Sequence, residues 1–250
     1  MSAKTALVTG AARGIGRAIA VQLAQAGYRV AVHYHSNRPA AEETLGTLAG
    51  SDHLLLAADL SAPHGATLLA EAALRGLSGR VDVLIHNAGV FLQTPLLEEV
   101  KLADWQAGVR TQMQVNFFAG ADLACLLAPH MAEAGWGRII QIASRSGLRG
   151  EARFSGYSAS KAAQIAFTKS LATELAASGI GCFSVAPGWV ATDMSAEAIA
   201  RDVEAIRAGI PAGRVATPED IAQLVGYLVT PAADYLTGNT IDVNGASYLR

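Results

Sequence analysis

The stretch Thr5-Ala6-Leu7-Val8-Thr9-Gly10-Ala11-Ala12-Arg13-Gly14-Ile15-Gly16 runs an apolar strand-like segment into a glycine-rich turn, and the helical pattern Arg17 to Ala26 follows, closed by Gly27. Glycines let a backbone turn sharply and come close to an anion. The partial positive charge at the N-terminus of the next helix then holds a pyrophosphate. A glycine-rich turn is common by itself. Its place between a first strand and a first helix makes it a candidate for dinucleotide binding rather than a merely structural turn.

Outward from this unit, strand-like runs recur at Arg29 to Tyr34, Leu54 to Ala57, Val81 to Ile85, Arg138 to Ala143, Gly181 to Ala186 and Thr240 to Val243. Helix-length stretches separate most of them. Repeated β-α-β units with right-handed crossovers predict a doubly wound parallel α/β sheet of about seven strands, with ligands outside the carboxyl ends of the strands. Residues 1–250 are expected to form one domain, because single α/β cores reach this length before splitting. No repeat, low-complexity segment or Pro/Gly/Ser linker interrupts the chain. The least regular stretch, residues 187–214, is expected to be a flexible flap over the site.

Composition narrows the partners. Hydrophobic residues make up 51% and charged residues 16%, as suits a sheet covered on both faces. A net charge of -2 offers no basic field for a nucleic-acid backbone or an anionic membrane, so neither is expected as a partner. Cys125 and Cys182 lie far apart with no neighbours at metal-ligand spacing, which predicts no disulfide framework and no metal site. The first strand-like run starts too early for a secretory leader, and no run of 18 apolar residues exists. A cytoplasmic protein is expected. The histidines show no metal spacing and no proximity to the glycine-rich motif, and none is assigned a catalytic role.

The spacing of Gly10, Gly14 and Gly16, with Asp59-Leu60, Asn87-Ala88-Gly89, Asn116, Ser144, Tyr157-x-x-x-Lys161 and Pro187-Gly188 with Thr192, resembles the short-chain dehydrogenase/reductase family over almost the whole chain. The resemblance implies a Rossmann-like fold and a nicotinamide cofactor. It implies that Thr9, Gly10, Arg13, Gly14, Ile15 and Gly16 cradle the pyrophosphate end, that Asp59 and Leu60 meet the adenine, and that Asn87, Ala88 and Gly89 shape the cofactor floor. Pro187, Gly188, Val190 and Thr192 would hold the nicotinamide carboxamide. Asp59 as a helix N-cap and Asn87-Ala88-Gly89 as an ordinary turn remain the alternatives.

NAD users usually end the second strand with a carboxylate for the ribose hydroxyls. Here that end reads His33-Tyr34-His35-Ser36-Asn37-Arg38, with no carboxylate. Arg13 and Arg38, helped by Tyr34, Ser36 and Asn37, are therefore expected to take a 2′-phosphate, which makes the cofactor NADP(H). The alternative leaves Arg38 solvated beside Pro39.

Tyr157 and Lys161 are four apart in a helical stretch and share one face. A phenol titrates near ~10 in water, and a nearby ammonium favours its ionised form. Ser144 at a strand end completes the set. The resemblance assigns Ser144 to the carbonyl oxygen, Tyr157 to acid/base catalysis, Lys161 to the nicotinamide ribose and Asn116 to a proton-relay water. The segment from Trp105 to Asn116 is longer than is usual in the family, which places the register of Asn116 in question.

The endings Pro187 to Met194 and Thr237 to Ala246 look most like 3-oxoacyl-[acyl-carrier-protein] reductases, implying reduction of a small-molecule or thioester β-keto substrate. Related alcohol, sugar and steroid dehydrogenases carry the same phrases. A dinucleotide-binding sensor without catalysis is a further alternative, opposed by the intact Ser144, Tyr157 and Lys161. An acyl carrier protein is acidic, yet Met131 to Trp136 and Ser170 to Leu175 offer no positive charge, so little benefit from a carrier is expected. Arg145, Arg149 and Arg153 either attract an anionic substrate or form a solvated loop balanced by Glu151. A homotetramer is expected, with contacts from Val115 to Met131, Ala162 to Ala177 and the last strand.

Overall fold

The computed structural model describes residues 3–97 and 100–250. In the first half the chain forms β1 (Thr5–Val8), α1 (Gly14–Gln25), β2 (Arg29–Tyr34), α2 (Arg38–Thr47), β3 (Leu54–Ala57), α3 (Gly65–Gly76) and β4 (Val83–His86). A long helix follows as α4 (Leu102–Met113), a π turn (Gln114–Phe118) and α5 (Ala119–Glu133). Then come β5 (Gly137–Ile142), α6 (Ser146–Arg149), α7 (Ser155–Leu175) and β6 (Ile180–Pro187). The chain ends with α8 (Asp193–Arg201), α9 (Val203–Ala208), α10 (Pro218–Leu228) and β7 (Thr240–Val243).

The seven strands form one sheet in the order β3-β2-β1-β4-β5-β6-β7, parallel throughout. Alternation along the strands divides the core. Ala6 and Val8 of β1 turn to one face with Ile19, Leu23, Ile221 and Val225 of α1 and α10. Leu7 between them turns to the other, with Leu69 of α3 and Leu123, Leu127 and Met131 of α5. Both faces of each central strand are covered, which is why these strands read as apolar runs rather than alternating ones.

Arg138 is the one charged residue in β5, and it is 1% exposed. Its guanidinium donates to Gly137 O, Leu228 O and Thr230 O and pairs with the Asp234 carboxylate, so the buried charge is satisfied.

Strand order reverses between β1 and β4, and the crevice at their carboxyl ends is flanked by the loops Thr9–Arg13 and Asn87–Gly89. Two expectations change here. Strand β4 starts at Val83 rather than Val81; just before it the Asp82 carboxylate takes the Thr5 N–H at 2.8 Å while the Asp82 N–H donates to Thr5 O at 3.1 Å. The stretch expected to be irregular contains α8 and α9, each begun by a local cap at Thr192 or Asp202. By length and composition the helix Leu102–Glu133 could cross a bilayer. Its α5 half, however, buries Leu123, Ala124, Leu127 and Met131 against the sheet, as a core helix does.

Candidate active site

Gly10 and Gly14 take φ of +62° and +56°, a backbone that favours glycine. A Cβ on Gly16 would meet Gly10 O at 2.4 Å, so the turn closes only with hydrogen there. Ile15 packs against the core below. Helix α1 carries no acidic residue in its first turn, leaving its positive end uncompensated toward the crevice. These are the properties of a phosphate cradle, and the residues fit a dinucleotide.

Two histidines hold this cradle. His33 Nδ1 accepts the Gly10 N–H at 3.1 Å while its Nε2 faces Ala58 O at 3.1 Å. A carbonyl only accepts, so Nε2 carries the proton and the ring is neutral. Burial lowers its pKa to about 4. His86 repeats the arrangement: Nε2 donates to Asn116 O at 3.1 Å and Nδ1 takes the Thr9 hydroxyl at 3.3 Å, with the pKa lowered by burial to about 3. Both lie at strand ends next to motif residues, and that position was the signal available in the sequence. The expectation that no histidine approaches the glycine-rich motif is therefore corrected.

Thr9 and Asn87 sew the two crevice loops together. Thr9 Oγ1 accepts the N–H groups of Asn87 and Ala88, both at 2.9 Å, and Asn87 Nδ2 donates to Thr9 O at 2.9 Å and Gly10 O at 3.1 Å. Gly89 stands beside Asn116 and Lys161, where an added Cβ would lie 3.3 Å from Asn116 Oδ1. Leu60 is buried, while Asp59 is exposed and holds the Ser61 N–H and hydroxyl. That turn keeps its carboxyl below the usual range. Asp59 thus caps a turn at Ser61 rather than the helix α3.

At the second strand's end, Tyr34 is buried and Ser36 exposed. Asn37 spends its Oδ1 on the Ala40 N–H at 3.1 Å, as the N-cap of α2. Arg38 pairs with Glu42 at 2.7 Å, and Arg13 reaches across to Asp193 at 2.9 Å. All four of these charged side chains are exposed, and such pairs are weak enough to exchange for a phosphate. From the opposite side, Thr192 Cγ2 would lie 3.2 Å from a Cβ on Gly14, so the start of α8 covers the glycine loop. Val190 is buried and bridges to Ala216, while Pro187 O and Gly188 N bond to Arg145 N and Val243 O.

Ser144, Tyr157 and Lys161 converge from the end of β5 and the first turns of α7. Ser144 Oγ is fixed by the Ser146 N–H at 3.1 Å. Burial pushes the Tyr157 phenol up to about 12, with the Ser144 hydroxyl acting in the opposite direction. Lys161 is lowered to about 7 by burial alone. Its Nζ donates to Ile142 O at 2.8 Å and Gln164 Oε1 at 2.9 Å, and it lies 5.6 Å from the centre of the Tyr157 ring. The expected lowering of the phenol by this ammonium is not seen: burial dominates, and only the Ser144 hydroxyl acts against it.

Asn116 sits in the π turn, an insertion often found at functional sites. It is fully buried, with Oδ1 accepting Val90 N at 2.8 Å and Nδ2 donating to Val90 O at 3.0 Å and Ser160 Oγ at 2.9 Å. On the open side of Tyr157, Phe91 meets its ring edge-on at 4.7 Å and stacks on Phe154 at 4.0 Å.

Residues 4–202 match the family model described as short chain dehydrogenase. The chain is 38% identical to nodulation protein G of Azospirillum brasilense, covering 98% of each protein. It is also 38% identical to the 3-oxoacyl-[acyl-carrier-protein] reductase of Synechocystis, over 98% of this chain and 97% of that one. Among solved structures, one from Beutenbergia cavernae, described as a candidate NAD(P)-dependent gluconate 5-dehydrogenase with NADP bound at low occupancy, matches with a TM-score of 0.87 and 37% identity over 99% and 97% of the two chains. A candidate gluconate dehydrogenase from Agrobacterium tumefaciens matches with a TM-score of 0.87 and 29% identity, over 98% and 95%.

Proposed function

We propose, from the premise that this chain belongs to the short-chain dehydrogenase family, that it is an NADP(H)-dependent ketoreductase interconverting a 3-oxoacyl or similar β-keto compound and its secondary alcohol. The observation that carries the reading is the convergence of Ser144, Tyr157 and Lys161 beside the glycine loop.

When bound, the nicotinamide supplies or takes up the hydride. Thr9, Gly10, Gly14, Ile15 and Gly16 would hold the pyrophosphate, Asp59 and Leu60 the adenine, Arg13 and Arg38 the 2′-phosphate, and Val190 and Thr192 the carboxamide. Ser144 donates to the substrate's carbonyl oxygen, and Tyr157, protonated across the working pH range, gives its proton to the developing alkoxide. Lys161 would hold the nicotinamide ribose with the donor it does not spend on Ile142 O and Gln164 Oε1, and with Asn116 would lead replacement protons toward solvent.

The structural likeness to two candidate gluconate dehydrogenases favours a second reading, an oxidoreductase of sugar acids or related alcohols. Little benefit from an acyl carrier is part of the first reading. So is a homotetramer, supported by exposed Phe118 and Leu126 on the long helix and tested by light scattering. The deciding experiment follows NADPH and NADH oxidation with β-keto thioesters, β-keto esters and 5-oxogluconate, each also run in reverse. NADPH-dependent reduction of a β-keto compound is expected. Turnover of no ketone or alcohol with either cofactor would sink the enzyme reading.

A further inference from the structure

The three arginines between Ser144 and Tyr157 fall into different situations. Arg149 is paired with Glu151 at 2.8 Å, and Arg153 donates to Gln93 at 2.9 Å. Arg145, directly after Ser144, has no carboxylate partner among the described residues. Its Nη1 donates to the Ser247 hydroxyl, and its guanidinium lies 5.9 Å from the centre of the Trp189 ring.

Burying a cation without a counter-charge is costly, and chains generally pair it. Arg145 is 6% exposed; burial and the neighbouring Arg149 disfavour its charge, and Glu151, outside ion-pair contact and itself paired with Arg149, opposes them only in part. Yet it is not sealed. Nε and Nη2 have no protein acceptor and are absent from the fully buried unpartnered atoms, so each keeps accessible surface. Ser144, its neighbour in the chain, is 9% exposed. A planar fork with two free donors, held by an indole and a hydroxyl beside the serine assigned to the carbonyl oxygen, matches a carboxylate in shape and charge.

We propose that Arg145 is the substrate's anion anchor, and that the protein acts on a small oxo acid or its hydroxy acid whose carboxylate docks on this guanidinium while the ketone meets Ser144. The proposal deepens the ketoreductase reading and rests on it. It also replaces a thioester, neutral at that position, with a free acid. No new chemical step is added: the ketone gains a hydride and a proton as above, and the carboxylate stays intact.

The test uses 3-oxobutanoate, 4-oxopentanoate and 5-oxohexanoate, each beside its methyl ester, a ladder that separates carboxylate from ketone by one carbon at a time. With NADPH, at least one acid is expected to show kcat/KM tenfold or more above its ester, and that ratio should approach one in Arg145→Met. Arg145→Lys, which keeps the charge and loses the fork, should restore only part of it. NADPH binding reports whether each variant is folded, and the wild-type ratios need no variant at all. Esters reduced as well as acids by the unmodified protein would overturn the anchor and leave the ketoreductase reading standing. An acid preference that persists in a folded Arg145→Met would likewise overturn it. Failure of every acid and every ester would remove the anchor; the ketoreductase reading falls with it only if the β-keto thioesters are not reduced either.

Discussion

Lys161 Nζ and Gln164 Oε1 are joined at 2.9 Å, one turn apart on the buried face of α7. Gln164 Nε2 in turn donates to Gln141 Oε1 at 3.0 Å, and Gln141 Nε2 has no partner. Lys161 thus leans on a chain of buried amides with little slack. Gln164→Leu removes an acceptor that favours the ammonium, and Gln164→Glu adds a charge that favours it more. The Lys161-dependent inflection in the pH profile of kcat/KM should move down in the first and up in the second, by about one unit or more. Shifts in the same direction, or none, would show that Gln164 only fills space.

Tyr157→Phe removes one hydroxyl and keeps the edge contact with Phe91. Turnover should fall by roughly 10²- to 10⁴-fold, the usual share of a general acid, while NADPH binds with near-normal affinity. Ser144→Ala should impair the same step. Retained kcat in the Tyr157 variant, measured by single-turnover NADPH oxidation, would refute the acid role.

Arg38 and Arg13 are held by Glu42 and Asp193, so the carboxylates compete with a 2′-phosphate. Arg38→Ala should weaken NADPH binding about tenfold while leaving NADH binding nearly constant. Glu42→Gln and Asp193→Asn should tighten NADPH binding. Fluorescence titration with both cofactors reads all three, and equal losses of NADH and NADPH in Arg38→Ala would defeat the phosphate assignment.

His33 and His86 are neutral in the fold, lowered to about 4 and about 3. Between those values and the ordinary histidine pKa near ~6.5 the unfolded chain binds more protons, so stability rises with pH across that window and falls on acidification. His33 alone accounts for on the order of 3 kcal/mol between pH 6.5 and 4, an upper figure. Urea midpoints at pH 7 and pH 5 should differ, and the difference should shrink in His33→Gln. A midpoint independent of pH in the unmodified chain would contradict the buried neutral rings.

The parallel sheet was readable because apolar runs such as Leu7 to Val8 and Ile139 to Ile140 need cover on both faces, and the glycine loop marked where it begins. Ser144, Tyr157 and Lys161 were readable because a strand end and a four-residue helical spacing place them together. Less was readable where side chains spend their hydrogen bonds. Asn37 caps a helix and Asp59 a turn through neighbours only two or three residues on, where several polar residues compete for the same role, and the two histidines are held by partners distant in sequence, Gly10 with His33 and Thr9 with His86. The helices within residues 187–214 bury no residue, so no core face marked them in the sequence.

The π turn at Gln114–Phe118 also fixes the phase between the two halves of one long rod. A π turn takes up one residue more than regular α winding needs, so deleting one residue there would restore that winding and leave α4 and α5 on the faces they hold. Leu123 and Leu127 would stay on the sheet, while Asn116 would lose Val90 and Ser160 together. The fold therefore tolerates a one-residue deletion within the turn better than one in α4, where each lost residue turns the rod by about 100°, and a chimera with a related chain should place its junction before Leu102.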